Sequence, residues 1–161
     1  MCAVRSVPES HPCGTSRPEE MTPTQHKHMP TPTRKASCSC GQLTVQAPRD
    51  PVRVTVCHCL ACQRRTSSVF GAQARFAAQS VQIRGTSNVF VRIGDSGGKI
   101  TYHFCPTCGT TVHYALEGEP QLVAIPVGAF ANPEFPPPGR SLYEQRVHGW
   151  VRLPSNVEHI G

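Results

Sequence analysis

Seven cysteines between residues 38 and 108 fall into three groups with the short spacing that is typical of metal ligands. Thiolates are soft ligands, and a tetrahedral set of them suits Zn²⁺, which needs no redox chemistry. The sequence therefore predicts zinc binding. The groups are Cys38 and Cys40, then Cys57, Cys59 and Cys62, and then Cys105 and Cys108.

The first and third groups can close one tetrahedral site. In "SCSCG" a turn that ends at Gly41 could draw Cys38 and Cys40 onto one ion. "FCPTCGTT" has the usual shape of a zinc knuckle, in which Pro106 fixes the turn and Gly109 permits a backbone conformation that turns amides toward sulfur. We expect a structural zinc ion here, and its ligands are Cys38, Cys40, Cys105 and Cys108.

The middle group, in "CHCLACQRR" (57–65), offers three thiolates from one continuous loop. Three protein ligands with a vacant fourth position is how catalytic zinc is held, so Cys57, Cys59 and Cys62 are predicted to hold a second, open zinc ion. Disulfides, an iron–sulfur cluster, and a partition in which this group borrows a ligand from another group are the alternatives. We expect His58, between two ligands, to lie beside the site or to face solvent rather than to bind the ion.

Strands must position these ligands, because apolar and polar residues alternate between the cysteine groups and no sustained helical period is visible. One or two helical turns are expected only around 60–65. A short edge element is expected within 141–154. The fold class is therefore predicted as mainly β, in small antiparallel sheets. The predicted strands are 43–47, 52–56, 68–76, 80–85, 88–93, 99–104, 110–116 and 122–128.

The predicted organisation is one domain with two tails. Residues 1–35 are rich in Pro, Thr, Ser and His and are expected to be disordered; Met21 and Met29 are plausible alternative starts. The zinc-binding domain is expected over 36–154, and a short tail over 155–161. No secretory signal or membrane span is predicted, and clustered cysteines without such a signal favour a cytoplasmic, reducing location.

The net charge of +6 does not favour a nucleic-acid partner. From Ala36 onward there are 11 Arg and Lys against 7 Asp and Glu, and seven zinc-bound thiolates would bring this part close to neutral. The basic residues are also scattered singly, except for Arg64 and Arg65. We expect neither a nucleic-acid nor a membrane partner, and the sequence does not indicate an oligomeric state.

The chain resembles the glutathione-dependent formaldehyde-activating enzymes, which share a domain with centromere protein V. The resemblance covers roughly 36–154 and implies a β-rich, Mss4-like zinc domain with the metal partition described above. Many members carry a Gly after the paired basic residues, where this chain has Thr66, Ser67 and Ser68. The segments that carry the resemblance are "CSCGQLTVQ", "CHCLACQRRTSSVFGA", "HFCPTCGTTVHY", "VGAFANPEFPPP" and "HGWVRLP".

The resemblance implies a carbon–sulfur lyase that joins glutathione, or another thiol, to formaldehyde or a related aldehyde. Cys57, Cys59 and Cys62 match the zinc at the glutathione site and would be the catalytic ligands. Arg64 and Arg65 follow them and are candidates for binding the carboxylates of the thiol, or are solvated surface residues.

Two other functions remain open from the sequence: a non-catalytic, zinc-stabilised binding module, and metal buffering or thiol redox sensing. Possible proton shuttles, for which structural roles are preferred, are His103, His113 and His148. The aromatics expected in the core or at its rim are Tyr102, Tyr114 and Trp150.

Overall fold

Strands dominate residues 33–160, the part of the chain that the computed structural model describes. The mainly β prediction is confirmed. Among these residues there is one α-helix, and no helix is long and apolar enough to cross a membrane. The strands are β1 Thr33–Ser37, β2 Thr44–Pro48, β3 Arg53–Cys57, β4 Gly71–Ala77, β5 Gln82–Arg84, β6 Asn88–Ile93, β7 Lys99–Phe104, β8 Thr111–Leu116, β9 Leu122–Pro126, β10 Arg140–Leu142 and β11 Glu158–Ile160; the helix is α1 Leu60–Thr66, and the 3₁₀ turns are Ala78–Ser80, Val127–Phe130 and Glu144–Arg146.

The strands form two sheets. A small antiparallel sheet has the order β1-β2-β5, and a larger one has the order β11-β10-β3-β4-β9-β8-β7-β6. The larger sheet is not wholly antiparallel, because β10 runs parallel to both β3 and β11. The edge element expected within 141–154 therefore lies inside the sheet, and β11 forms the edge in its place.

The main core lies between the two sheets. Four almost fully buried side chains belong to a single cluster. They are Val45 of β2 with the preceding Leu43, and Phe76 and Ile125 of the large sheet. Strand β2 alternates buried and less buried residues, as its sequence predicts. Strand β3 is buried at four successive positions, so both of its faces are covered. The cluster explains why strands of the two sheets stay together.

Both ends of the predicted domain extend further than expected. Strand β1 begins at Thr33, ahead of the expected boundary at Ala36, because its backbone pairs with β2 from Thr33 onward. Strand β11 lies within the expected tail 155–161 and pairs with β10. The rest of the predicted N-terminal tail lies outside the described residues.

Helix α1 is short and its two ends are formed by particular residues. The Cys59 side chain accepts a hydrogen bond from the backbone N–H of Cys62 and so caps the start of the helix. Ser67 ends the helix with a φ of 52°, in the left-handed region that favours glycine. Ser67 therefore adopts a conformation that Gly would adopt without strain.

Candidate metal centres and active site

Four sulfurs converge where the two sheets meet. Cys38 and Cys40 follow β1, and Cys105 and Cys108 lie between β7 and β8; their Sγ atoms all lie within 4.8 Å of one another. The Sγ atoms of Cys38 and Cys40 are 3.5 Å apart, and those of Cys40 and Cys105 are 3.6 Å apart. Zn–S bonds of about 2.3 Å in a tetrahedron place sulfurs about 3.8 Å apart. The four thiols therefore fit a tetrahedral ion such as zinc.

The two knuckles share one backbone pattern. The N–H of Cys38 donates to the carbonyl of Leu43 at 2.9 Å, and the N–H of Cys105 donates to the carbonyl of Thr110 at 2.9 Å. Gly41 and Gly109 both have positive φ, at 80° and 73°, which is the backbone conformation expected for Gly109 from the sequence. The matching turns explain how both cysteine pairs face a single point.

Polar groups around this centre stabilise its thiolates. The backbone N–H of Leu43 donates to the Cys38 Sγ at 3.2 Å, and the Gln42 side-chain amide donates to the Cys105 Sγ at 3.0 Å. A hydrogen bond with the Thr110 hydroxyl is the main reason why the pKa of Cys108 falls to about 5. Such contacts are those a metal-bound thiolate requires around it.

The middle group occupies the junction between a strand and the helix. Cys57 is the last residue of β3, Cys59 caps α1, and Cys62 lies in its first turn. Their Sγ atoms all lie within 4.8 Å of one another, and no other His, Cys, Asp or Glu in residues 33–160 joins this group. Three thiols without a fourth side-chain ligand form an open donor set.

The three thiols differ in acidity. A hydrogen bond with the Cys57 thiol, helped by the nearby Arg65 guanidinium, lowers the pKa of Cys62 to about 6. The pKa of Cys57 is raised, because the hydrogen bond with Cys62 favours its protonated form and burial disfavours the thiolate. The Cys62 sulfur therefore carries the negative charge of the group most readily.

His58 is buried and does not face solvent. Its exposed fraction is 0%, and its ring packs edge-on against Phe70 with ring centroids 5.8 Å apart. Burial lowers its pKa, so the ring is kept neutral. It does not belong to the group of possible metal ligands formed by Cys57, Cys59 and Cys62.

The paired arginines take different positions. Arg64 is exposed, whereas Arg65 turns inward: its guanidinium lies 5.4 Å from the Tyr114 ring centre and 5.5 Å from that of Tyr102. A Cβ on Gly71 would lie 3.0 Å from Nη2 of Arg65, so the glycine makes room for this inward position. Arg65 is therefore not a solvated surface residue.

Two cavities adjoin this site. The larger has a volume of about 490 Å³, and both Arg64 and Arg65 line it, together with Arg92, Phe90 and Phe104. The smaller has a volume of about 170 Å³, and its wall includes the three thiol residues, Cys57, Cys59 and Cys62. Arg92 and Tyr102 line both cavities, so the two spaces share a wall.

Sequence reasoning missed several residues of the smaller cavity. Gln73 and Arg75 of β4, Tyr143 and Arg92 line it beside the thiols. A signal was present: Gln73 and Arg75 are polar at alternate positions of an otherwise apolar strand, so they share one face of it. The opposite face, with Ala74 and Phe76, belongs to the core.

The remaining candidates have varied surroundings. Tyr102 and Tyr114 are buried as expected, and their rings lie 5.0 Å apart between centroids in the cavity wall. Trp150 is 69% exposed, so it is not a core residue. The rings of His103 and His113 stack at 4.3 Å, and His148 is an exposed residue whose Nε2 lies 3.2 Å from the Gln63 side-chain oxygen.

A family model described as glutathione-dependent formaldehyde-activating enzyme matches residues 33–146. The chain belongs to this family. A solved structure of a Rhodobacter sphaeroides protein is similar to the chain with a TM-score of 0.48 and 22% sequence identity, and the match covers 62% of this chain and 91% of that one. A comparison with curated proteins finds no match.

Proposed function

We propose that this chain is a carbon–sulfur bond-forming enzyme, which condenses a thiol such as glutathione with formaldehyde or a related aldehyde in the manner of an S-(hydroxymethyl)glutathione synthase. The observation that carries the proposal is the open set of Cys57, Cys59 and Cys62 in the wall of a cavity. A closed four-ligand site would serve structure alone, whereas an open one leaves room for a reactant.

Two zinc ions per chain are part of the proposal, one held by Cys38, Cys40, Cys105 and Cys108 and one held by the three catalytic thiols. A zinc ion bound by three thiolates accepts a fourth ligand and lowers the pKa of a thiol placed there. The thiolate ligands must stay reduced, which is why we assign the protein to the cytoplasm.

The thiol reactant is proposed to lie in the larger cavity. Arg64 and Arg65, with Arg92 opposite them, would bind the carboxylates of a peptide thiol there, because a guanidinium pairs with a carboxylate through two parallel hydrogen bonds. Phe90 and Phe104 would cover the apolar part of the same molecule. The shared wall with the smaller cavity brings the sulfur of the reactant toward the three thiols.

The reaction forms one bond and moves one proton. A lone pair of the thiolate sulfur attacks the aldehyde carbon, the carbon–sulfur bond forms, and the π electron pair moves to the oxygen. That oxygen then takes up one proton, which balances the proton lost by the thiol. The product is a hydroxymethyl thioether, and the reverse reaction cleaves the carbon–sulfur bond.

Exchange spectroscopy tests the proposed function, because the uncatalysed adduct forms spontaneously and only the increase in rate is informative. Zinc-loaded protein is expected to accelerate exchange between glutathione, formaldehyde and their adduct. Cys59→Ser is expected to abolish the acceleration and to reduce the zinc content from two ions to one, while circular dichroism retains the strand signal.

Cys13→Ser is the matched control, because Cys13 lies outside the three cysteine groups of the sequence, and it is expected to behave as the wild-type protein. An absence of acceleration by the zinc-loaded wild-type protein would contradict the proposed reaction.

A zinc-stabilised binding module is the second candidate function. The edge strand β6 favours it, since Val89, Phe90, Val91 and Ile93 are each at least 45% exposed. Exposed apolar residues on an unpaired edge can bind another chain. This candidate predicts two bound zinc ions without any acceleration in the same assay.

A further inference from the structure

The smaller cavity contains polar groups that the fold itself does not use. Gln73 is 2% exposed and Arg75 is 7% exposed, and both line the cavity that Cys57, Cys59 and Cys62 also line. The side-chain oxygen of Gln73 and the Nη1 atom of Arg75 are buried without a hydrogen-bond partner among the described residues. A buried polar atom without a partner costs about 1–3 kcal/mol.

The position of Arg75 is fixed by other contacts. Its Nε donates to a carboxylate oxygen of Glu119 at 3.1 Å, and its guanidinium lies 5.5 Å from the ring centre of Tyr114. Arg53 pairs with the other oxygen of the same carboxylate. The Nε atom of Arg75 thus holds the side chain in place, whereas its Nη1 atom has no hydrogen-bond partner among the described residues.

We propose that this cavity is the subsite for the carbonyl reactant, with Arg75 and Gln73 as the groups that bind its oxygen. The inference rests on the proposed function and assigns residues for the second reactant of that reaction. Arg75 donates a hydrogen bond to the carbonyl oxygen, and Gln73 accepts one from the hydroxyl group of the product.

The positive charge of Arg75 would stabilise the carbonyl oxygen while the carbon–sulfur bond forms. As the sulfur lone pair bonds to the carbonyl carbon, the π pair moves to the oxygen, which becomes negative before it takes up a proton. A fixed cation beside that oxygen stabilises the negative charge where it develops, and the effect is stronger in a cavity that excludes water. In the reverse direction the same contact stabilises the alkoxide as the carbon–sulfur bond breaks.

The size of the cavity limits the aldehyde. Its volume is about 170 Å³, roughly a third of the 490 Å³ of the neighbouring space, and Tyr102, Tyr114 and Tyr143 enclose it. A cavity of about 150 Å³ can hold a benzene ring, so we expect formaldehyde and other small aldehydes to react, and aldehydes with several fused rings to be excluded.

Steady-state kinetics of three variants form the first test. Arg75→Met is expected to reduce kcat/KM for formaldehyde by about 10–100-fold, and Gln73→Leu by about tenfold, through a higher KM for formaldehyde or a lower kcat. Both variants are expected to leave KM for the thiol unchanged. Arg53→Met is the matched control, because it breaks an ion pair with the same Glu119 but does not line the cavity. Equal effects of Arg53→Met and Arg75→Met, or a rise confined to KM for the thiol, would overturn the subsite.

Gln73→Leu also provides a stability readout. It removes a buried oxygen without a partner, so the melting temperature is expected to stay the same or to rise while the aldehyde kinetics worsen. A purely structural role for Gln73 predicts the reverse, a lower melting temperature with unchanged kinetics.

A binding measurement separates this subsite from the proposed reaction. Formamide, a non-reacting carbonyl compound of similar size to hydrated formaldehyde, is titrated into the zinc-loaded full chain and followed by nuclear magnetic resonance. Shifts at the side-chain signals of Gln73 and Arg75 would support the subsite even if wild-type protein fails to accelerate the adduct reaction. If formamide shifts neither signal, the subsite is overturned, whatever the outcome of the kinetics.

Discussion

The histidine pair of the large sheet is a residue-scale source of pH sensitivity. His113 of β8 is 6% exposed, and its ring stacks on His103 of β7. Burial, together with the charge of His103, lowers the pKa of His113 from 6.5 to about 4. The folded state thus holds this ring neutral at pH values where the unfolded chain binds a proton.

This difference predicts how stability responds to acid. Because the unfolded state binds more protons between pH 6.5 and pH 4, the free energy of unfolding falls as the pH decreases through this window. From pH 7 to pH 5 the contribution of His113 is about 2 kcal/mol. In urea denaturation, the free energy of unfolding of His113→Phe is expected to fall between pH 7 and pH 5 by about 2 kcal/mol less than that of the wild-type protein. The same pH dependence of the free energy of unfolding in both proteins would contradict this role of His113.

The sequence predicted the cysteines of the site but not all of its other side chains. Spacing was enough for the thiols, because short Cys-x-Cys and Cys-x-x-Cys intervals bring sulfurs together through local turns. Gln73 and Arg75 reach the site only through the pairing of β4 with β3 and β9, which depends on residues far apart in the chain. The burial of His58 likewise depends on distant contacts.

At the scale of elements, the turn after β5 positions a residue of the four-cysteine candidate metal centre. Gly85 has a φ of 100°, and a Cβ on it would lie 2.0 Å from the backbone oxygen of Gln42. The side chain of Gln42 also donates to the carbonyl of Thr86 at 2.8 Å and to the Cys105 sulfur. The close approach of the two backbones therefore holds a hydrogen-bond donor against a proposed ligand.

Gly85→Ala is expected to lower the free energy of unfolding by at least about 2 kcal/mol, because both backbone strain and the clash with Gln42 disfavour it. We also expect one of the two zinc ions to be released faster to a chelator. Chemical denaturation and a zinc-release assay measure these effects. Gly98→Ala is the control, since no atom lies within 4 Å of a Cβ there. Equal behaviour of the two variants would rule out the positioning role.

Local patterns predicted some elements well and others poorly. Strands β6 and β7 match the expected 88–93 and 99–104, because polar turns separate them clearly. Strands β10 and β11 have three residues each, too few for alternation to be recognised. Their parallel pairing depends on neighbours in the sheet rather than on their own sequence.

For the molecule as a whole, the four-cysteine centre connects the two sheets. Cys38 and Cys40 follow a strand of the small sheet, whereas Cys105 and Cys108 join two strands of the large one. An ion bound there would act as a covalent-like cross-link in addition to the shared core. The middle group lies within one loop and one helix turn, so its ion would add little to this connection.

Metal removal is therefore expected to have unequal effects. Cys108→Ser is predicted to lower the melting temperature by at least about 10 °C, and the matched Cys62→Ser by much less, because only the former opens the link between the sheets. Differential scanning calorimetry of the zinc-loaded variants provides the measurement, and zinc analysis should find one ion lost from each. A larger fall for Cys62→Ser would show that the middle group is the structural centre.

The continuity of the loop that carries Cys57, Cys59 and Cys62 affects how the molecule is assembled. Closing a loop within six residues costs far less chain entropy than joining cysteines that lie 65 positions apart, such as Cys40 and Cys105. During synthesis the open site can acquire its ion as soon as its loop has emerged, well before Cys105 exists. The proposed catalytic ion could thus be bound before the proposed structural ion, and the order of metal uptake would then follow the order of the chain.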